Sequence, residues 1–399
     1  MRDRFLSATR AIVVAAAAAT LSVSIDPTAA QAPGTPTPAP VLKTPWGEPD
    51  LQGIWTDEFD TPLQRPARYA SQEFFTPAQR QELDKQRSAL LDRRATDREF
   101  AGAYNLAVFT SSKHTGARTS MIVDPPNGRI PPLTMQGQRA AAGDREFRLA
   151  LLRSTETCKD KLVQCSGGTY DPTPSPRRAE RPPRYLAVNF GRINRYDGPE
   201  DGALSDRCLT SGLPEFGTAF GGSFRRIVQT PGGISMSYDV GQGGSWQRNI
   251  VMNGSPHLPA NIRQWFGDSR GRWEGSTLVI DVTNFSPKTD FQGARENLHL
   301  VERWTRTSPN TLEYEVAIED PTVWTRPWTV KQEFTRQSDQ ENRIYYEPRC
   351  LEGNYAFPAI LRAARQDDHL FAEGQAPDPA TKDNVTTLVD IDTSVVRDQ

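Results

Sequence analysis

From about residue 224 onward the chain alternates apolar and polar positions with a period of two, the mark of strands with one dry face and one wet face. The clearest run is at 311–318. There Leu312, Tyr314, Val316 and Ile318 share one face, and Glu313, Glu315 and Glu319 take the other. Pro231-Gly232-Gly233 and Gly241-Gln242-Gly243-Gly244 separate successive runs. The pattern predicts strands at 224–230, 234–240, 246–253, 264–266, 272–273, 277–284, 297–306, 311–318, 325–337 and 343–348. So many sequential antiparallel strands close into a barrel or fold into a sandwich.

The N-terminal half reads differently. A short strand is expected at Leu51–Trp55. Phe75-Thr76-Pro77-Ala78-Gln79 combines a staple residue, an N-cap, proline at the first helical position and glutamine at N3. The helix it opens is expected to run from Pro77 to Arg94, with Tyr104 as the outer limit, on a thin apolar stripe of Leu83, Leu90 and Leu91. Thr119–Pro132 reads as a hairpin with Pro-Asn-Gly at its turn, and Gly137–Arg153 as a second helix. Residues 154–183 are polar and Pro/Arg-rich, an irregular excursion.

The first residues form a targeting segment, 1–32. Arg2, Arg4 and Arg10 precede the apolar run Ala11–Leu21, and Ala30-Gln31-Ala32 supplies an A-x-A cleavage site. The apolar run is shorter than the roughly 20 residues that span a bilayer. A soluble periplasmic or secreted protein is expected, with no membrane insertion after cleavage. A Pro-rich linker follows at 33–43, then a strand/helix/hairpin region at 44–183 and the barrel at 184–399. The 47 basic and 49 acidic residues nearly cancel, so no charge pattern points to nucleic acid. Hydrophobic residues make up 36%, alongside 32 Pro and 29 Gly, which favours strands and ordered loops over a helical bundle. In an oxidising compartment Cys158, Cys165, Cys208 and Cys350 predict two disulfides, with Cys158–Cys165 and Cys208–Cys350 the favoured pairing.

Gly53-Ile54-Trp55 looks like the G-x-W entry of lipocalin-type barrels. The runs GRWEGSTLVIDVTNF and ERWTRTSPNTLEYEVAIED resemble the strand pairs of lipocalin-like bacterial domains. SMIVDPPNGRIPPLT, DRCLTSGLP, IVQTPGG, Pro256–Phe285, LHLVERWTR, EDPTVWTRPWT and CLEGNY are together similar to a large group of exported bacterial proteins of unassigned activity. In that group the last motif is more often Cys-His-Glu-Gly-Asn-Tyr; here Leu351 stands for the histidine. The resemblance implies export and a mainly β fold: an antiparallel lipocalin-like barrel with an N-terminal helix and hairpin packed around it. It implies no chemistry.

Strand parity picks out the candidates for chemistry. Arg248 shares a face with Trp246, Ile250 and Met252; Glu302 shares one with Leu298, Leu300 and Trp304; Gln332 lies on the apolar face of 328–334. Polar groups on apolar faces must be paired or used. With Tyr238, Tyr314 and Tyr346 they outline an aromatic-walled pocket for a small organic ligand, or else a satisfied buried ion pair between Arg248 and Glu302. His257, in Ser-Pro-His-Leu-Pro, and His299, at a strand start, are candidate bases beside Glu302. His299 and Glu302 point to opposite faces, which argues against joint metal ligation. Asp268-Ser269-Arg270-Gly271 reads as a turn, Asp281 as solvent-facing, and Trp265, Trp273, Trp324 and Trp328 as core. No P-loop, G-x-G-x-x-G or H-E-x-x-H occurs, and neither cofactor nor metal is expected. Three readings stand. The first is binding or cofactor-independent acid–base transformation (lyase, isomerase or hydrolase) of a small organic molecule in the barrel. The second is a non-catalytic periplasmic carrier or cell-envelope interaction protein. The third, below both, is a glycan-active protein that uses a surface formed by Trp265, Trp273, Trp324 and Trp328.

Overall fold

A computed structural model describes residues 42–96, 113–161, 165, 167–183, 195–202, 204–207, 209, 212–216, 224–239, 245–338 and 355–382. The expected targeting segment, most of the expected linker, the strand expected at 343–348 with Tyr346, and Cys208 and Cys350 lie outside these residues.

Among the described residues there are twelve strands: β1 (Gly53–Thr56), β2 (Phe59–Asp60), β3 (His114–Thr115), β4 (Ile122–Asp124), β5 (Phe224–Thr230), β6 (Gly233–Asp239), β7 (Ser245–Val251), β8 (Asp268–Glu274), β9 (Thr277–Thr283), β10 (His299–Ser308), β11 (Thr311–Glu319) and β12 (Trp328–Arg336). The main sheet runs β1-β5-β6-β7-β8-β9-β10-β11-β12, and β1 pairs back onto β12. That pairing closes a nine-stave barrel. The fold is therefore mainly β, with a few helices around a closed barrel. The short N-terminal strand is itself the closing stave, inserted between β5 and β12.

An odd ring cannot alternate strand direction all the way round, so at least one neighbouring pair must be parallel. Here it is β7–β8, paired only at Val251↔Arg270, while β6–β7 and β8–β9 are zipped from end to end. A parallel neighbour needs a long connection. Residues 252–267 supply it.

The alternation seen in sequence sets the inside and outside of the staves. Leu300, Glu302 and Trp304 of β10, Leu312, Tyr314, Val316 and Ile318 of β11, and Trp328, Val330, Gln332 and Phe334 of β12 are buried, with half-exposed neighbours between them. A continuous cluster of buried apolar residues lines the barrel from Ile227 and Met236 round to Phe334.

Three expectations are corrected. Thr119–Pro132 makes its turn, with Gly128 N–H donating to Pro125 O at 2.9 Å, but forms no hairpin. β4 instead adds singly to β12, because Pro131 and Pro132 leave the return segment without the N–H donors a second strand needs. Gln264–Phe266 is no strand; only Gln264 bridges, to Phe285. Asp268–Gly271 is not a turn but the start of β8, fully paired with β9. Gly271 faces inward there, and a Cβ would lie 2.3 Å from Met252 Sδ and 2.7 Å from Ile250 Cγ2, so the barrel closes in only because the position is glycine.

The first helix spans Pro77–Thr96. Its capping box forms as read: Gln79 N–H donates to Thr76 Oγ1 (3.2 Å) and Thr76 N–H to Gln79 Oε1 (2.8 Å). Phe75 and Leu83 pack together beside Tyr69. The second helix spans Met135–Leu152, capped by the Thr134 hydroxyl. Beyond it Cys158 and Cys165 form the expected local disulfide, buried against Leu152.

Candidate functional site

Two clusters of polar side chains stand out, one inside the barrel and one on its outer wall. Inside, β7, β10 and β11 converge on a buried ion pair. Arg248 Nη2 donates to Glu302 Oε2, and Tyr314 Oη donates to Glu302 Oε1 at 2.8 Å. Arg248 Nη1 also reaches Ser269 Oγ at 3.4 Å. Arg248 is 4% exposed and Glu302 1%. Burial works against the charge on Arg248, but the Glu302 carboxylate outweighs it and holds the guanidinium above its ordinary range. Burial pushes the Tyr314 phenol well above its usual range, and the carboxylate it donates to adds to the rise. Tyr238 is raised by burial too. Both phenols are therefore neutral donors, and the network holds one cancelled pair of charges.

Aromatic rings line this pair. Trp304 lies 4.2 Å from Tyr314, centroid to centroid. The Tyr238 ring sits under the guanidinium of Arg225 at 4.4 Å and of Arg248 at 5.6 Å. Trp246 stacks on Tyr238, and Phe266 on Trp246, each at 5.8 Å. Gln332 lies beside Tyr314 across β11–β12, inward and only 7% exposed. Neither its amide oxygen nor its amide nitrogen has a hydrogen-bond partner. The indole N–H groups of Trp246, Trp273, Trp304 and Trp328 and the Arg248 Nε are likewise buried without partners.

On the outer wall, His257 leaves the 252–267 connection and lies against β8 and β9. Its Nδ1 is 2.9 Å from Asp268 Oδ2, and its Nε2 is 3.2 Å from Asp281 Oδ1. His299 Nε2 reaches the same Asp281 oxygen at 3.1 Å, and its Nδ1 is 3.7 Å from Glu319. Asp268 also accepts from Leu258 N–H (2.9 Å) and Arg270 Nε (3.0 Å). Burial works to raise the Asp268 carboxyl, but these donors outweigh it and hold it below the usual carboxylate range. An ionised carboxylate only accepts, so His257 Nδ1 carries a hydrogen. Asn284, in the left-handed region at φ 58°, adds Nδ2 bonds to Leu258 O and Pro259 O. The arrangement clamps the connection onto the wall beside the parallel seam. Among the described residues no group of three or more His, Cys, Asp or Glu side chains is arranged to hold a metal ion.

The structure brings Arg248, Glu302, Tyr238, Tyr314, Trp246 and Gln332 to the interior, as parity indicated. His257 and His299 meet each other through Asp281 but not Glu302. The acid–base partnership of Glu302 with His257 is corrected: Glu302 faces inward, while His257 lies against Asp281, which alternates with the inward Ile280 and Val282. Sequence reading missed Arg225, Trp304 and Ser269 inside, and Asp268 and Asp281 as the partners of His257. Parity could have found Arg225, since Ile227 and Gln229 share its face and are buried. Nothing local marks Asp268 or Asp281, whose role depends on a loop docking from elsewhere.

No protein-family model matches the chain. No curated protein matches it either. Among solved structures it is similar to the secretary abundant heat soluble (SAHS) protein from Ramazzottius varieornatus, at 14% identity and a TM-score of 0.22, over 34% of this chain and 82% of that one. A likeness this low says nothing of ligand or activity, and the fold assignment stands on the strand pairing itself.

Proposed function

We propose that the chain binds a small organic molecule inside its barrel, as a carrier rather than as a proton-transfer catalyst. The observation that carries this reading is Gln332: an amide 7% exposed, facing an aromatic interior, with neither polar end satisfied. Leaving a buried polar group unpaired costs about 1–3 kcal/mol. A side chain retained at that cost is explained by a partner that arrives from outside the chain. Glu302 is poorly suited to proton transfer, since one oxygen accepts from Arg248 and the other from Tyr314. His257 lies on the other side of the wall, against Asp268 and Asp281.

The same proposal puts the mature protein in the periplasm or outside the cell, among exported bacterial proteins of the kind its motifs resemble. Support comes from the Arg-flanked apolar run ahead of Ala30-Gln31-Ala32 and from the Cys158–Cys165 disulfide, since disulfides persist in oxidising compartments.

The test is native mass spectrometry of the full chain secreted into a bacterial periplasm. A small molecule is expected to co-purify with the wild type and to be lost from a folded Gln332→Leu variant. Equal retention by both proteins, or a folded wild type that stays bare and binds no small aromatic probe, would overturn the proposal.

A further inference from the structure

We infer that the ligand is a neutral, planar molecule that presents hydrogen-bond acceptors, of the class of carbonyl-bearing aromatic or heteroaromatic compounds. The inference rests on the binding reading above and names the chemistry of its ligand.

The buried polar atoms without partners are strongly unbalanced. On the inward faces of the described staves, N–H groups on Trp246, Trp273, Trp304, Trp328 and Arg248 and the NH2 of Gln332 stand against a single acceptor, the Gln332 amide oxygen. A complementary molecule must therefore offer mainly lone pairs. One that offers only N–H donors, with no lone pair to give, could satisfy only the Gln332 oxygen and would set donor against donor elsewhere.

Charge narrows the class further. The Arg248 guanidinium is already cancelled by the Glu302 carboxylate, and the buried Arg225 guanidinium donates to Phe224 O and Glu215 O and lies over the Tyr238 and Phe334 rings, so both of these inward cations are already engaged. Burying an unpaired charge is far costlier than burying a neutral carbonyl. Flatness follows from the walls. Trp304, Tyr314 and Gln332 occupy one row across β10, β11 and β12, as the registers Trp304↔Tyr314 and Tyr314↔Gln332 require. Neighbouring strands lie ~4.8 Å apart. The indole N–H and the amide are thus separated by one aromatic ring, that of Tyr314, whose own hydroxyl is committed to Glu302. Trp304 already lies against the Tyr314 ring, 4.2 Å between centroids, so a molecule that spans from the indole N–H to the amide has to be flat and of one or two rings.

Three neutral, bicyclic probes of similar shape separate the alternatives: coumarin, which carries acceptors only; indole, which carries a donor only; and naphthalene, which carries neither. Binding is measured by calorimetric titration of the full mature chain, with Gln332→Leu and Trp304→Phe beside the wild type. Coumarin is expected to bind the wild type at least about tenfold more tightly than the other two, the scale of one or more buried hydrogen bonds. Gln332→Leu is expected to erase that preference, and Trp304→Phe, which keeps a ring but removes the N–H, to reduce it. Thermal melts of both variants confirm that they are folded. Naphthalene or indole matching coumarin on the wild type overturns the inference while the binding reading survives. A coumarin preference undiminished in Gln332→Leu also overturns it. If none of the three binds, the inference falls, and the binding reading falls with it if no molecule co-purifies.

Discussion

Two buried glutamines on inward faces of the same barrel behave in opposite ways. Gln229, 3% exposed on β5, uses both ends of its amide: Oε1 accepts from Leu51 N–H at 2.6 Å and Nε2 donates to Pro49 O at 3.1 Å. Those bonds pin the segment that leads into β1, the stave that closes the ring. Gln332, on β12 at the other side of that same stave, uses neither end. The side chains are identical and their burial is similar, so the difference lies in what each was placed to meet. Gln229 meets backbone, and its role is structural. Gln332 meets aromatic faces and an ion pair that is already complete. Burial of a polar group alone does not mark a site; burial without a partner does.

The largest expected effect is at that ion pair. Glu302→Gln leaves Arg248 buried without its counter-charge and is expected to cost about 3–5 kcal/mol in denaturant unfolding. Replacing both partners together, as Arg248→Met with Glu302→Leu, is expected to fall closer to wild type than either single change. A Glu302→Gln variant as stable as wild type would mean that the interior is wetter than its packing implies.

The glutamines come next, and they are expected to move in opposite directions. Gln229→Leu abandons the Leu51 N–H and the Pro49 carbonyl and should lose about 1–3 kcal/mol. Gln332→Leu removes a group that pairs with nothing and should match or exceed the wild type in stability while losing ligand, the trade seen where function retains a destabilising residue. Equal losses in both variants would erase the distinction between them.

The outer wall gives smaller effects. His257→Ala is expected to cost about 1 kcal/mol or less, as half-exposed charged contacts do, and to leave probe affinity unchanged. Faster amide exchange at Leu258, with no change in affinity, is the expected signature; lost affinity would bring the histidine back into the site. Asp268 gives the smallest effect, a pH dependence. Its carboxyl is held below the usual range in the folded chain, so its contribution is complete above the unfolded value near 3.9 and is lost as pH falls through the lower folded value. Asp268→Asn should flatten that acid limb in pH-dependent melts.

Much of this was legible in the alternation. The inward faces of β10, β11 and β12 follow from Leu300, Leu312 and Val330 and their neighbours two residues on, and the same parity exposed Arg248, Glu302 and Gln332 as exceptions. The capping box at Thr76 and Gln79 was equally local. What escaped depends on closure in three dimensions. β1 is four residues long and gains its place only by pairing with strands far along the chain. An odd ring demands a parallel seam, but nothing in residues 252–267 says that the seam falls there. Asp268 was read as a turn residue because its partners, His257 and Leu258, come from a connection that docks only once β8 is in place. Whether a buried glutamine is satisfied is likewise a matter of register, invisible along the chain.

The account is tested most directly by melting the wild type and Gln332→Leu side by side, each with and without coumarin. The variant is expected to melt at or above the wild type in the absence of the probe, and to show a clearly smaller upward shift with coumarin than the wild type does. A variant that melts lower and responds to coumarin as strongly as the wild type would contradict the assignment of Gln332 to a ligand.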